Sequence, residues 1–265
     1  MRLKDKVAIV TASTRGIGAA IAETLAHEGA KVYLAARNAD RAQTIIDRLS
    51  KEGCSVSYVY NDASKQETYK SMIEETVKKE GKIDILVNNF GTSDPSKDLD
   101  IKSTEYDEFL KTLNLNIGSV FLASQAAIPY MAQNGGGSIV NISSVGGSIP
   151  DISQIGYGTS KAAINYLTKL IATQAARDNI RCNAVLPGMT ATDAVMQNLT
   201  QDFQNFFLKH TPLKRMGTPD NIAQAVLYFA SDESSFTTGQ IMEVSGGFGM
   251  PTPIFGDMIE MKQKR

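Results

Sequence analysis

Three side chains within the stretch Gly137 to Lys161 can do proton chemistry together: Ser144, Tyr157 thirteen residues later, and Lys161 four residues beyond that. If Tyr157 begins a helix, Lys161 falls one turn on along the same face, and its ammonium can sit beneath the phenol ring. A cation there favours the phenolate. Free tyrosine has a pKa of ~10, and a unit charge about 4 Å away is worth roughly 4 kcal/mol at an effective dielectric of ~20, enough to bring the phenol toward neutrality. A phenol in that range serves as acid or base. Ser144 follows the apolar run Ser138 to Ile142, where its hydroxyl would face a crevice at the carboxyl edge of a sheet and hold a substrate oxygen. The spacing Ser-x12-Tyr-x3-Lys can also arise by accident, so the rest of the chain has to decide.

The elements that must position these residues alternate regularly. Lys6 to Thr11 is a short apolar run, followed by the turn Thr11-Ala12-Ser13-Thr14-Arg15-Gly16-Ile17-Gly18 and an amphipathic stretch from Ile17 to His27. Strand, glycine turn and helix in that order let a pyrophosphate approach the backbone and meet the positive end of the helix. A strand over Lys31 to Ala36, a helix over Asp40 to Glu52, a strand over Ser55 to Tyr60, a helix over Gln66 to Glu80 and a strand over Ile83 to Val87 continue the pattern. Such βαβ units predict one α/β domain, a doubly wound parallel sheet with helices on both faces. Asn61-Asp62 and Asn88-Asn89-Phe90-Gly91 then fall at strand carboxyl ends, the edge where open parallel sheets bind ligands. Asp62 is placed to accept from an adenine amino group.

After the second strand, a dinucleotide fold that uses NAD usually offers an acid to the adenosine ribose. Here Arg37 takes that neighbourhood, and Arg15 lies in the glycine turn. Two guanidinium groups can pair with a 2′-phosphate, which favours NADP over NAD; the bland alternative is a pair of solvated surface charges. Further on, a helical segment Glu105 to Gln133 carries Asn114 and Asn116, a helix runs from Tyr157 to Ala176, a strand from Ile180 to Leu186 ends at Pro187-Gly188, a helix spans Pro219 to Ala230, and a last strand spans Gln240 to Val244. By spacing alone, Asn116 is as readily a buried structural amide as an anchor for ordered water. The amphipathic segment Ala191 to Arg215, with Met189, Val195, Met196, Leu199, Phe203, Phe206 and Phe207 as its apolar elements, reads as a lid over an apolar substrate or as a helix pair packed on the core. Phe248 to Arg265 reads as a tail.

Composition narrows the function classes. The chain has 265 residues, 42% hydrophobic and 21% charged, with a net charge of −1. That suits one full α/β domain and gives no electrostatic reason to expect nucleic acid or a membrane surface as partner. No stretch approaches the roughly 20 apolar residues of a membrane span, and the N-terminus lacks the pattern of a signal peptide. Cys54 and Cys182 have no ligand-spaced neighbours, so no metal site is expected and both read as reduced thiols of a cytoplasmic protein. His27 and His210 read as surface or structural residues.

Taken together, the glycine turn, Asn88-Asn89-Phe90-Gly91, Asn116, Ser144, Tyr157-x3-Lys161 and Pro187-Gly188 occur in the order that resembles the short-chain dehydrogenase/reductase family, over roughly residues 3 to 250. The resemblance implies a Rossmann-type fold and a catalytic tetrad: Tyr157 as acid/base, Ser144 orienting the carbonyl or hydroxyl, Lys161 also bonding the nicotinamide ribose, and Asn116 anchoring a water relay. With it, the NADP contacts are expected at Ser13, Thr14, Arg15, Gly16, Ile17 and Gly18, at Arg37 and Asn38, at Asp62 and Ala63, at Asn89 and Gly91, at Tyr157 and Lys161, and at Pro187, Gly188, Thr190 and Thr192. Two departures stand out. The family's first turn glycine is Ala12, strained only if that position needs a positive φ, and the alanine of its Asn-Asn-Ala-Gly motif is Phe90, which would narrow or reshape the pocket.

Within the family, the stretches YVYNDA, ILVNNFG, SSVGGSIPDISQI, RCNAVLPGMTATDAV, NFFLKHTP and VSGGFG resemble the NADP-dependent branch that acts on the 7α-hydroxyl of bile acids. That resemblance implies a bile acid or other steroid as substrate and a homotetramer as the assembly; the apolar faces of Glu105 to Gln133 and Tyr157 to Ala176 agree with the latter. A 3-oxoacyl-carrier-protein reductase shares the tetrad and would use Lys209, Lys214 and Arg215 on an acidic carrier, but it explains neither the tail nor the apolar lid. A non-catalytic NADP-sensing protein has no need of the whole tetrad.

Overall fold

The computed structural model describes residues 1–263 as one seven-stranded parallel sheet, in the order β3-β2-β1-β4-β5-β6-β7, with helices on both faces. The elements are β1 (Val7–Thr11), α1 (Gly16–His27), β2 (Lys31–Ala36), α2 (Ala39–Lys51), β3 (Val56–Tyr60), α3 (Glu67–Glu80), β4 (Ile85–Asn88), α4 (Tyr106–Gln133), β5 (Gly137–Ile142), α5 (Ile155–Gln174), β6 (Ile180–Pro187), α6 (Asp193–Asn198), α7 (Gln201–Lys209), α8 (Pro219–Ala230), β7 (Ile241–Val244) and α9 (Phe255–Gln263). Strand order reverses between β1 and β4. Their carboxyl ends diverge there, and the crevice between them opens onto the glycine turn, Asn89 and Gly91.

The central strands are buried on both sides, as a parallel sheet covered by helices requires. Successive residues of β1 go to opposite cores. Ala8 and Val10 pack with Ile21 and Leu25 of α1, Leu49 of α2 and Val226 and Phe229 of α8. Val7 and Ile9 pack with Met72 and Ile73 of α3, Ala127 and Met131 of α4 and Ile171 of α5. This period of two makes the sheet a rigid platform for the loops at its edge.

Several boundaries differ from the expected ones for local reasons. Helix α5 starts at Ile155, so Tyr157 lies inside its first turn. Strand β4 starts at Ile85, because Asp84 before it turns its carboxylate to the Val7 N–H (2.8 Å). The expected amphipathic stretch Ala191 to Arg215 breaks into α6 and α7, since Thr192 and Thr200 each cap a new start by accepting from Val195 N–H and Phe203 N–H. The tail contains α9, held on α7 by Lys209, whose ammonium reaches Asp257 (2.7 Å) and Glu260 (3.0 Å); residues 264 and 265 of the expected tail lie outside the described residues. Ala12 has φ 52°, so this departure from glycine does carry left-handed strain, of about 1–2 kcal/mol.

Candidate active site

Ser144 follows β5 in extended conformation and opens a 3₁₀ turn, Val145–Gly147, whose Gly146 N–H donates to the Ser144 hydroxyl (3.1 Å). The turn lies directly on α5: a Cβ on Gly147 would come within 2.6 Å of the Lys161 main chain, so only glycine permits the approach. This contact sets Ser144 opposite Tyr157, near enough for its hydroxyl to act on the phenol. Lys161, almost completely buried, places Nζ 5.5 Å from the centre of the Tyr157 ring and donates to the Ile142 carbonyl (2.9 Å). Gly91 gives it room, since a Cβ there would meet Nζ at 2.8 Å.

The electrostatics differ from the sequence expectation. Burial raises the Tyr157 pKa above its ordinary value, opposed by the Ser144 hydroxyl, and burial lowers Lys161 to about 8. Phenol and ammonium share one desolvated site, and the Ile142 carbonyl holds the ammonium, so the cation alone does not bring the phenol near neutrality.

Asn116 is fully buried, and its side chain is committed to structure. Its Oδ1 accepts from Thr92 N–H (2.8 Å), while its Nδ2 donates to the Thr92 carbonyl (2.9 Å) and to the Ser160 hydroxyl (2.9 Å). The amide therefore ties α4 to the loop after β4 and to α5, and its oxygen, which accepts from one donor, keeps one acceptor position. A second buried chain runs beside it, from the Asn88 amide to Asn141 (2.9 Å) and from the Asn141 amide to Thr168 (2.9 Å).

The glycine turn forms a cradle suited to a dinucleotide. Gly16 has φ 54°, and a Cβ on Gly18 would lie 2.4 Å from the Ala12 carbonyl and from the Asn89 amide, so backbone replaces side chain at both positions. Asn89 secures the turn by donating to the carbonyls of Thr11 (3.1 Å) and Ala12 (3.2 Å). Helix α1 has no side-chain cap and no acid in its first turn, and among the described residues the buried Ser13 hydroxyl has no partner. Uncapped amides and an unpaired hydroxyl at a positive helix end fit a pyrophosphate.

Arg15 and Arg37 are exposed, and among the described residues neither is within ion-pair distance of a carboxylate. Asp62 is held below the usual carboxylate range, chiefly by Ser64 and also by Arg37. Asn38 caps α2 by accepting from Arg41 N–H (2.8 Å), and Ala63 packs against the core. Thr190 donates to the Gly188 carbonyl (3.0 Å), and Thr192 lies against Gly16, whose Cβ would meet its methyl at 3.4 Å. The loop after β6 thus closes over the glycine turn.

These parts surround a cleft of about 370 Å³ lined by Ile17, Asn89, Gly91, Ser144, Tyr157, Lys161 and Pro187 to Thr190, with Val145, Met189, Val195, Leu199 and Phe207 as its apolar wall. Val145 had no distinguishing mark in the sequence. Phe90 is not among the residues lining the cleft, and its main-chain N–H donates to the Thr11 hydroxyl (3.2 Å). A larger depression, about 1170 Å³, lies at the opposite edge of the sheet beside Lys6, Asp84 and Arg181 and contains none of the reactive groups. Glu23, His27 and Glu52 approach one another on the surface, where Arg48 is already paired with Glu23.

Residues 11–249 match the family model described as enoyl-(acyl carrier protein) reductase. The chain is 53% identical over 256 residues to a 7α-hydroxysteroid dehydrogenase of Clostridium sardiniense, covering 97% of this chain and 98% of the relative. It is 52% identical over 262 residues to the enzyme of the same name from Paraclostridium sordellii, covering 98% of each. Among solved structures, a 7α-hydroxysteroid dehydrogenase complexed with NADH and 7-oxo glycochenodeoxycholic acid superposes with a TM-score of 0.89 at 36% identity, covering 93% of this chain and 95% of that one.

Proposed function

The chain belongs to the short-chain dehydrogenase/reductase family and is an oxidoreductase, and on that premise we propose that it interconverts the 7α-hydroxyl of bile acids with the corresponding ketone, using NADP. The observation that carries this reading is the Ser144, Tyr157 and Lys161 grouping, set between a dinucleotide cradle and an apolar wall. The two 7α-hydroxysteroid dehydrogenases match this chain over nearly its whole length.

When bound, NADP accepts or supplies the hydride. In oxidation, Tyr157 takes the hydroxyl proton while Ser144 holds the substrate oxygen; in reduction, Tyr157 returns the proton to the carbonyl oxygen. Burial keeps the phenol protonated, the form needed for reduction. Oxidation needs the phenolate, which the Ser144 hydroxyl and the Lys161 cation favour, so its rate should rise with pH. Lys161 and the glycine turn would hold the cofactor, and Arg15 and Arg37 would take its 2′-phosphate. Asn116 acts in this scheme by holding the loop and α5 together.

Met189, Val195, Leu199 and Phe207 supply the apolar surface a steroid needs, and α6 with α7 forms the lid that closes on it. Exposed Phe121, Tyr166 and Leu170 on α4 and α5 support a homotetramer. No described helix is long and apolar enough to cross a membrane, and two free cysteines agree with a reducing cytoplasm.

The test is NADP+ reduction with bile acids that differ only in the position and face of one hydroxyl. Turnover should be confined to 7α-hydroxylated members. Turnover of a 3-oxoacyl thioester with no activity toward any 7α-hydroxylated bile acid would replace this reading.

A further inference from the structure

The helix that carries Tyr157 and Lys161 does not cap itself. Its N-cap residue, Gln154, is left-handed (φ 59°, ψ 49°) and offers no side-chain acceptor. The opening N–H groups are satisfied from elsewhere in the chain. Gln154 N–H donates to the Asp98 carbonyl (3.2 Å) and Ile155 N–H to the Leu99 carbonyl (3.1 Å). Gly156 N–H and Tyr157 N–H donate to the two carboxylate oxygens of Asp98, at 2.7 and 2.9 Å. Helix starts leave such donors without partners, and here two residues of the loop between β4 and α4 meet them.

Asp98 is 0% exposed and, among the described residues, has no cationic partner; its third donor is the Ser93 hydroxyl (2.9 Å). A buried carboxylate without a cation is costly unless its hydrogen bonds replace water, and the positive end of α5 supplies both donors and field. The fit is close. A Cβ on Gly156 would come within 3.1 Å of the carboxylate.

Tyr157 is gripped on its other side as well. Its carbonyl accepts from the Ser160 hydroxyl (2.7 Å), which in turn accepts from Asn116 (2.9 Å), and Asn116 also clamps Thr92 at the start of the loop that carries Asp98. We infer that Asp98 is a positioning residue for the reaction: from 59 positions upstream it sets where α5 begins, and with Asn116 it fixes the main chain of the acid/base on both sides. The inference rests on Tyr157 as acid/base.

Burial and Ser144 dominate the phenol's titration, and the charge of Asp98 would add a smaller, longer-range contribution. Among the residues lining the cleft, Lys161 is the one charged group, and Asp98 adds a negative charge from the loop side. Removing that charge and uncovering the positive helix end both favour the phenolate.

The experiment compares full-length wild type, Asp98→Asn, Ser93→Ala and Tyr157→Phe with chenodeoxycholate and NADP+. It measures kcat against pH, NADPH affinity by fluorescence, melting temperature, and amide exchange at the start of α5. Asp98→Asn keeps the shape but retains one acceptor for two N–H groups. It should lower kcat by about 10- to 100-fold, the scale of a small misplacement of a reacting group. It should also move the rising limb of the oxidation profile to lower pH, speed exchange at Gly156 and Tyr157, and leave NADPH affinity within about twofold.

Ser93→Ala should act in the same direction and less, and it carries the test if Asp98→Asn does not fold. A folded Asp98→Asn with wild-type kcat and an unmoved limb overturns the inference. So does a loss fully explained by unfolded protein. Tyr157→Phe should be nearly inactive; if it is active, the acid/base reading fails, whereas slow amide exchange in a folded Asp98→Asn refutes the brace independently of activity.

Discussion

Lys161 gives a prediction that needs no substrate. Its ammonium is buried, so its pKa falls to about 8 from the ordinary 10.5. Below pH 8 both folded and unfolded chains carry the proton, and the full cost of burying the charge weighs against folding. Between about 8 and 10.5 the folded chain has lost the proton while the unfolded chain still binds it, so stability rises with pH across that window. The gap corresponds to about 3 kcal/mol, of which about 2 to 2.5 kcal/mol is recovered between pH 7 and pH 10. Above pH 10 the trend reverses, because Tyr157 keeps its proton in the fold after unfolded tyrosine has lost it. The assay is urea unfolding of the cofactor-free protein at pH 7, 8, 9 and 10, for wild type and Lys161→Met. Groups away from the site titrate alike in both proteins, and Tyr157 keeps its proton in the fold over this range, so the difference isolates Lys161. Wild type should gain about 2 kcal/mol on the variant over this range. Parallel pH curves for the two proteins would refute the argument that the ammonium is desolvated in the fold.

On the proposed contact of Arg37 with the 2′-phosphate, a charged hydrogen bond worth ~1.5 to 3 kcal/mol, Arg37→Ala should lower kcat/KM for NADP+ by roughly ten- to a hundredfold with that for NAD+ nearly unchanged; Arg15→Ala should act in the same direction. Equal losses for both cofactors would assign these arginines to the fold. Sedimentation at micromolar protein should show a tetramer, and a stable monomer would exclude the assembly reading.

Local pattern made much of this protein legible in its sequence. The alternating apolar runs give the parallel sheet because a strand buried on both faces must be apolar throughout, as β1 is. The glycine turn between strand and helix marks the cradle, since close approach to the backbone excludes a Cβ at Gly18. Tyr157 and Lys161 are legible because helical periodicity alone puts them on one face. Ser144 needed only its place after β5.

What depends on distant contacts was not legible. The phenol's acidity is set by burial, and burial depends on how the turn after β5, the loop after β4 and α5 close together. The same enclosure outweighs the expected effect of Lys161 on the phenol. Asn116 offered two readings by spacing, and only the position of Thr92 and Ser160 around it commits its amide. Asp98 carries no mark in the sequence that sets it apart from Asp94 and Asp100 beside it. Its role exists because the fold brings that loop to the start of a helix whose own N-cap residue is left-handed and cannot do the work, a coincidence of two segments that no local pattern encodes.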